Sequence, residues 1–258
     1  MRMTRRISLQ LALTGIAMGG LPRIGAAEDA APATVSIRPI EHASFYLELP
    51  DRVIAVDPVG DAALYANLPQ PDLILITHEH GDHFDPDRLQ ALLGEQTRII
   101  SNPAVLEKMS DALKARTTAM ANGETADLDG LMISAVPAYN ITEDRLQYHP
   151  KGRDNGYVLT IGGARFYIAG DTEATDEMKA LTDIHVAFVP MNLPYTMTAD
   201  QAAEGVAAFA PVQVYPYHHR GTDPAAFAAK LKELGSETEV IIADWYPAVE
   251  DPTGANPE

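Results

Sequence analysis

Beyond residue 34 the chain alternates short apolar runs with polar and turn residues, at lengths that suit strands better than long helices. Val35 to Ile40, Ser44 to Leu49 and Val53 to Asp57 are three such runs, and together they predict the start of a β-meander. Leu73 to Thr77 is apolar throughout and then turns abruptly polar, the pattern of a buried strand with a functional loop at its carboxyl end. Further strands are predicted at Leu131 to Val136, Tyr157 to Ile161, Arg165 to Ala169, His185 to Pro190, Val212 to Tyr217 and Glu239 to Ala243, and Gly162-Gly163 marks a hairpin between two of them. Helices are announced by their caps. Asn102-Pro103 precedes Ala104 to Ala115, Thr198 with Gln201 forms a capping box before Ala199 to Phe209, and Asp223-Pro224 precedes Ala225 to Leu234. A further helix is expected near Ala174 to Leu181. No internal repeat or internal linker is visible, so residues 35–258 read as one α/β domain behind a short Ala/Pro linker at 28–34.

The first 27 residues follow a different rule. They hold Arg2, Arg5, Arg6 and Arg23 and no acid, and an apolar, small-residue run from Leu9 to Leu21 follows the arginine pair. That run is shorter than the roughly 20 residues needed to span a bilayer, and Gly25-Ala26-Ala27 offers a small-residue cleavage site. The segment reads as a signal peptide, with a retained membrane anchor as the alternative. Thr4-Arg5-Arg6-Ile7-Ser8-Leu9-Gln10 is similar to a twin-arginine export signal, with Ser8 and Gln10 where Phe and Lys are usual. The expected compartment is periplasmic or secreted, with no stable membrane insertion once the signal is removed.

Composition narrows the partners. The chain has 258 residues, 46% hydrophobic and 21% charged, enough apolar material for a sizeable core. Its net charge of −17 argues against a phosphate-tracking nucleic-acid binder or a protein of anionic membrane surfaces. A small-molecule substrate is the expected partner. With no cysteine at all, disulfides, thiolate zinc sites and cysteine nucleophiles are excluded, and any metal must be held by nitrogen or oxygen.

The candidate chemistry sits where the buried strand ends. Thr77-His78-Glu79-His80-Gly81-Asp82-His83 places three of the eight histidines within six residues. In an extended segment His78 and His80 project to one side, and Gly81 is expected to permit a sharp turn that brings Asp82 and His83 to a neighbouring point. Imidazole and carboxylate suit Zn, Mn or Fe, and two adjoining sets of such ligands are what a dinuclear hydrolytic site needs. A solvated His-rich turn is the plain alternative, but a buried strand feeding so many ionisable groups calls for ligation or pairing.

With this motif the chain resembles the metallo-β-lactamase-fold hydrolases, whose signature is T-H-x-H-x-D-H. Within them it is similar to the branch containing ascorbate-6-phosphate lactonase. The likeness extends from about Val35 to Tyr246, through His42-Ala43-Ser44, Asp57-Pro58, Val136-Pro137-Ala138-Tyr139-Asn140, His149-Pro150-Lys151, Ala169-Gly170-Asp171-Thr172, Pro194-Tyr195-Thr196-Met197 and Tyr215-Pro216-Tyr217-His218. It implies a four-layer αββα sandwich with one or two divalent ions, Zn first and Mn second, at the loop edge between the sheets. By that resemblance His78 and His80 hold the first ion, Asp82, His83 and His218 hold the second, and Asp171 bridges both. A helix N-cap is the competing role for Asp171.

One departure leaves a question. Many members place a third histidine on the first metal, and this chain has Asn140 in that region. Either the first site is weaker, or His149 swings in from the following loop, or Asn140 binds substrate. His42 reads as a support of the site or a core histidine, and His219 as an oxyanion stabiliser or a surface residue. Tyr195, Lys151 and Arg153 are candidates to receive a polar or anionic group. The expected reaction is hydrolysis of an ester or lactone by a metal-activated water held by Asp82 and Asp171, with no serine elbow required. A phosphodiesterase or phospholipase-D-like activity, and a metal-binding protein without turnover, are the alternatives.

Overall fold

The structure, a computed structural model, describes residues 7–9 and 35–246. Most of the expected signal peptide and all of the linker lie outside the described residues, as do residues 247–258. The first sheet comprises β1 (Ile7–Leu9), β2 (Val35–Glu41), β3 (Ser44–Glu48), β4 (Val53–Val56), β5 (Leu73–Leu75), β6 (Arg98–Ser101) and β7 (Thr117–Ala119). The second comprises β8 (Thr125–Leu128), β9 (Leu131–Ala138), β10 (Asp154–Ile161), β11 (Ala164–Ile168), β12 (Ile184–Pro190), β13 (Gln213–Tyr217) and β14 (Glu239–Val240).

Each sheet lays its seven strands side by side in chain order. Each also follows one pairing scheme, in which the first four strands are antiparallel neighbours and the pairings after the fourth are parallel. The chain is therefore two halves of one topology, a repeat of architecture without a visible repeat of residues. Parallel neighbours need a crossover, and helices supply most of them. α1 (Pro86–Leu92) lies between β5 and β6, α2 (Pro103–Lys108) and α3 (Asp111–Lys114) between β6 and β7, and α4 (Asp176–Lys179), α5 (Ala199–Phe209) and α6 (Pro224–Glu233) serve the second half.

Alternation within the strands builds the four layers. In β3, Phe45 and Leu47 enter the core between the sheets while Tyr46 enters a second core under the first half's helices. In β12, Val186 and Phe188 point inward, and Ala187 and Val189 pack under α4, α5 and α6. Both faces are buried, so these strands are apolar throughout. The inter-sheet core gathers Phe45, Phe188, Tyr217 and Trp245, with Phe45 stacked on Phe188 at 4.2 Å between ring centroids. Each such side chain contributes on the order of 1.5–3 kcal/mol by burial. The αββα sandwich implied by the resemblance is the observed architecture.

Several boundaries differ from expectation for local reasons. The single helix expected over Ala104 to Ala115 is two, because Met109 turns extended and the Ser110 hydroxyl accepts from Leu113 N–H, capping a new helix. α4 is shorter than expected, and its N-cap is Thr175, not Asp171. α1 was not anticipated, although Asp85-Pro86 starts it with the same cap pattern, because it spans fewer than two apolar repeats. β6, β7 and β8 are strands of three or four residues, too short for their periodicity to register. Among the described residues no helix is long and apolar enough to cross a membrane.

Candidate metal centre

Several strand ends of both sheets converge at one edge of the sandwich. β5 runs on through Ile76 and Thr77 into His78, and its exit is pinned from the opposite sheet. Tyr157 Oη donates to the Ile76 carbonyl at 2.9 Å and Asn155 N–H to the Thr77 carbonyl at 3.1 Å, while Asn102 Nδ2 donates to the same Thr77 oxygen at 2.9 Å. The turn after it closes through the His80 carbonyl, which accepts from the N–H groups of His83 and Phe84 at 2.9 and 2.8 Å. Gly81 does not supply the special conformation expected of it. Its φ is not in the left-handed region and a Cβ there meets open space, so the helical turn itself brings Asp82 and His83 round. The glycine that matters is Gly170, at φ 64, where a Cβ would sit 2.9 Å from the Asn155 carbonyl and 3.0 Å from Thr77 Cβ. That close approach lets Asp171 enter the site from the second sheet.

A first donor set consists of His78, His80 and His149. His78 Nε2 lies 3.1 Å from His80 Nδ1, and His80 Nδ1 lies 3.2 Å from His149 Nε2. Asp171 Oδ2 closes the set, 3.5 Å from His149 Nε2 and 4.0 Å from His78 Nε2. The edges of a tetrahedron about an ion with ligands at 2.0–2.1 Å measure about 3.4 Å, so these spacings suit a shared cation. Hydrogen bonds fix which nitrogen faces inward. Thr77 Oγ1 donates to Asp57 Oδ2 at 2.7 Å and so accepts from His78 Nδ1 at 3.1 Å, leaving Nε2 unprotonated. His149 Nδ1 donates to Asn140 Oδ1 at 2.8 Å, with the same result for its Nε2.

A second set gathers around Asp82 and His218. His218 Nε2 is 3.4 Å from Asp82 Oδ2 and 3.4 Å from Asp171 Oδ2, and His83 Nε2 is 3.4 Å from Asp171 Oδ1. His83 Nδ1 contacts Asp57 Oδ2 at 2.8 Å, which turns Nε2 toward the centre. Carboxylates that orient ligating imidazoles in this way are a regular part of metal sites. His42 Nε2 also lies 3.3 Å from Asp82 Oδ2.

The electrostatics suit a cation site. His83 Nε2, both ring nitrogens of His218 and Asp171 Oδ1 are buried without a hydrogen-bond partner and cluster at one point, as the donors of a cation site do. Burial opposes charge on His83, yet the carboxylates of Asp171, Asp57 and Asp82 prevail and raise its imidazole to about 9. Burial and the neighbouring histidines push His78 well below its usual value, and burial takes His149 down to about 4. Against their own burial, Asp82 is held below the ordinary carboxylate range by His218 and His42, and Asp171 by His218, His83 and His149. The centre thus sets the neutral imidazoles of His78, His80 and His149 beside the ionised carboxylates of Asp82 and Asp171, and a proton on His83 supplies positive charge.

Of the candidates read from sequence, His78, His80, Asp82, His83, Asp171 and His218 all meet here. The Asn140 question resolves in geometric terms. His149 is the residue that joins His80, and Asn140 stands behind it, with Nδ2 donating to the Tyr195 carbonyl at 2.8 Å. The loop carrying both is tied down by Glu173, whose carboxylate accepts from the N–H groups of Ile141 and Thr142 and pairs with Arg145 at 2.7 Å. Tyr195 contributes its carbonyl to this arrangement, while its ring is exposed and packs edge-on against Tyr148 at 5.1 Å. His219 lies beyond the donor sets, its ring against Tyr246 and its Nε2 unpartnered. Lys151 pairs with Glu177, and Arg153 with Asp154 and Glu79. Sequence reasoning missed Asp57, Thr77 and Glu173 as functional residues. Thr77 stood at the head of the histidine motif and Asp57 at the end of a strand in Asp-Pro, whereas Glu173 carried no signal.

Two adjoining His/Asp donor sets at the edge of an αββα sandwich are the construction of the metallo-β-lactamase-fold hydrolases. The chain belongs to the beta-lactamase superfamily, whose domain its residues 36–218 match. It is similar to a UPF0173 metal-dependent hydrolase of Thermococcus onnurineus, 31% identical over 218 residues that cover 81% of this chain and 96% of the relative. Among solved structures, a metal-dependent hydrolase from Parabacteroides distasonis superposes with a TM-score of 0.77 at 43% identity, covering 83% of this chain and 95% of that one. A metallo hydrolase from Ignicoccus hospitalis does so with a TM-score of 0.68 at 26% identity, covering 81% and 94%.

Proposed function

We propose that this metal-dependent hydrolase cleaves an ester or lactone bond in a small substrate with a largely apolar body, at a centre of two zinc ions. The observation that carries the reading is the commitment of the basic groups at the mouth. Lys151 and Arg153 are engaged by Glu177, Asp154 and Glu79, and the Arg220 guanidinium lies over the Tyr246 ring at 5.7 Å. Among the described residues, a cluster of open cations, which a phosphorylated substrate would call for, is not offered there. Beside His149 and Asn140 stand instead Ile141, Leu146, Leu193 and Tyr195, 44 to 52% exposed, an apolar lip unlike an ordinary solvated loop.

Bound divalent ions would supply Lewis acidity and lower the pKa of water toward neutrality. His78, His80, His149 and Asp171 would hold one, and Asp82, His83, His218 and Asp171 the other. Five imidazoles among these donors suit zinc better than magnesium or calcium. Asp82, half-exposed at the mouth, is placed to orient water on the solvent side. Asp57 and Asn140 hold the ligand rings in a single orientation, so that the site is assembled before substrate arrives.

A panel of aryl esters, lactones and bis-p-nitrophenyl phosphate, with elemental analysis of the same preparation, tests the reading. Lactones and esters should be cleaved faster than the phosphodiester, with two zinc ions per chain. A reversed preference favours phosphodiester chemistry, and loaded protein with no hydrolysis of any of the three classes favours metal binding without turnover. The N-terminal features support export to the periplasm or beyond. Fractionation of the expressed full chain, with the N-terminus of the product determined, tests that part, and a cytoplasmic product retaining Met1 to Ala27 overturns it.

A further inference from the structure

His42 belongs to one of the close donor groups, His42, Asp82 and His218, and its Nε2 lies 3.3 Å from Asp82 Oδ2. Distance alone would make it a ligand of the second ion. The spacing of the rings says otherwise. Imidazoles that radiate from one ion at 2.0–2.1 Å have centroids about 4.5–5.3 Å apart. His78, His80 and His149 are mutually 4.7, 5.0 and 4.9 Å apart, and His83 and His218 are 5.1 Å apart, all within that range. His42 and His218 are 3.8 Å apart and tilted by 38°, and His42 and His83 are 6.4 Å apart, one pair too close and the other too far. His42 lies against the ligand shell rather than in it.

Its protonation follows from its two partners. Tyr246 Oη accepts the His219 N–H at 3.0 Å and lies 2.8 Å from His42 Nδ1, which is the only acceptor within hydrogen-bond distance of the phenol's proton among the described residues. At the other end an ionised carboxylate can only accept. Both ends require the same tautomer, with the phenol donating to Nδ1 and Nε2–H donating to Asp82. The backbone holds the ring in register, since His42 N–H donates to the Trp245 carbonyl at 2.8 Å and the His42 carbonyl accepts from His218 N–H at 3.1 Å.

We infer that His42 is a positioning residue: locked as the Nε2–H tautomer by Tyr246, it aims Asp82 and backs His218 without touching the second ion. The inference rests on the two-ion reading of the centre. A carboxylate oxygen has room for one cation and one N–H donor, so the two roles of Asp82 are compatible.

The test is uptake of zinc and cobalt by the full chain and by His42→Ala, His42→Gln and Tyr246→Phe, with both ions counted and their dissociation constants measured. Glutamine places an N–H donor at the reach of His Nε2 but cannot replace an imidazole as a ligand. Expected are two ions in the parent, second-ion affinity about 10–100-fold weaker in His42→Ala, and recovery to within about threefold in His42→Gln. Tyr246→Phe should fall between. The first ion should bind normally in all three, which also reports on folding. At saturating cobalt the visible band intensities should match the parent, because no ligand has been removed. If His42→Gln is as impaired as His42→Ala, or cobalt-loaded His42→Ala shows a changed coordination number, His42 is a ligand and the inference fails alone. A parent that takes up no metal overturns the two-ion reading and the inference together.

Discussion

Metal uptake by the stripped protein should expel a proton from His83. With its imidazole raised to about 9 by the carboxylates around it, His83 is almost fully charged at pH 7.5, whereas a histidine at the usual 6.5 would be about one-tenth charged. His78, His80 and His149 are lowered, and Asp82 and Asp171 are ionised, so none of these adds appreciably to the count. Filling the second donor set at pH 7.5 should therefore release close to one proton from protein groups. Displacing it costs about 2 kcal/mol at that pH, so apparent affinity for that ion should rise roughly tenfold per pH unit and level off near pH 9. Titration calorimetry in buffers of different ionisation enthalpy reads the proton directly. Ionisation of bound water adds release that grows with pH, while the His83 share shrinks through pH 9, so the two separate by slope. Asp57→Asn removes one of the carboxylates that raise His83 and should cut the release at pH 7.5 well below one. The same shift governs the metal-free fold. A histidine raised from 6.5 to about 9 contributes stability in full below pH 6.5 and loses it as pH rises through 9, about 3 kcal/mol in all. Parent protein that binds metal at pH 7.5 with no proton release would refute the assignment of that charge to His83.

Three other perturbations follow from the geometry. Asn140→Ala leaves the His149 Nδ1–H and the Tyr195 carbonyl without partners and should weaken the first ion about 10–100-fold in chelator competition; unchanged affinity would mean His149 needs no orienting group. Gly170→Ala places a Cβ against the Asn155 carbonyl and Thr77 at a left-handed φ and should cost about 3 kcal/mol in urea unfolding; a loss under about 1 kcal/mol would show that the turn can relax. Burial raises Asp154 to about 6 from 3.8 despite Arg153, so between those values the folded chain holds more proton than the unfolded one and stability falls as pH rises, by about 3 kcal/mol. In chelator-treated protein Asp154→Asn should gain stability relative to the parent between pH 4 and 7, and a constant difference would contradict the shift.

The parts of the site readable from sequence were those in which chemistry and chain position coincide. His78 to His83 leave one strand within a single turn, and Asp171 stands just past the end of another. His149 was ambiguous because its approach depends on where the loop after β9 is held, and the holder, Glu173, lies beyond it in the chain. Asp57 orients His83 from 26 residues away and Tyr246 orients His42 from 204 away, relations that no local pattern carries. Gly81 shows the opposite error. A glycine in a motif suggested a special conformation where an ordinary helical turn suffices. In the fold, long apolar strands and capped helices were legible, whereas Ser110 broke a continuous helical pattern because its hydroxyl offered the backbone a second start.

The halved topology has a thermodynamic meaning. Each close donor triad draws two members from the first seven-stranded half and one from the second: His78 and His80 with His149, His42 and Asp82 with His218, His78 and His83 with Asp171. Neither half owns a complete set. A cation at this edge is accordingly a clasp, and its binding free energy adds to the docking free energy of one sheet on the other. Cutting the chain between β7 and β8 would turn that clasp into a measurable association constant, with fragment affinity climbing as the ion concentration rises.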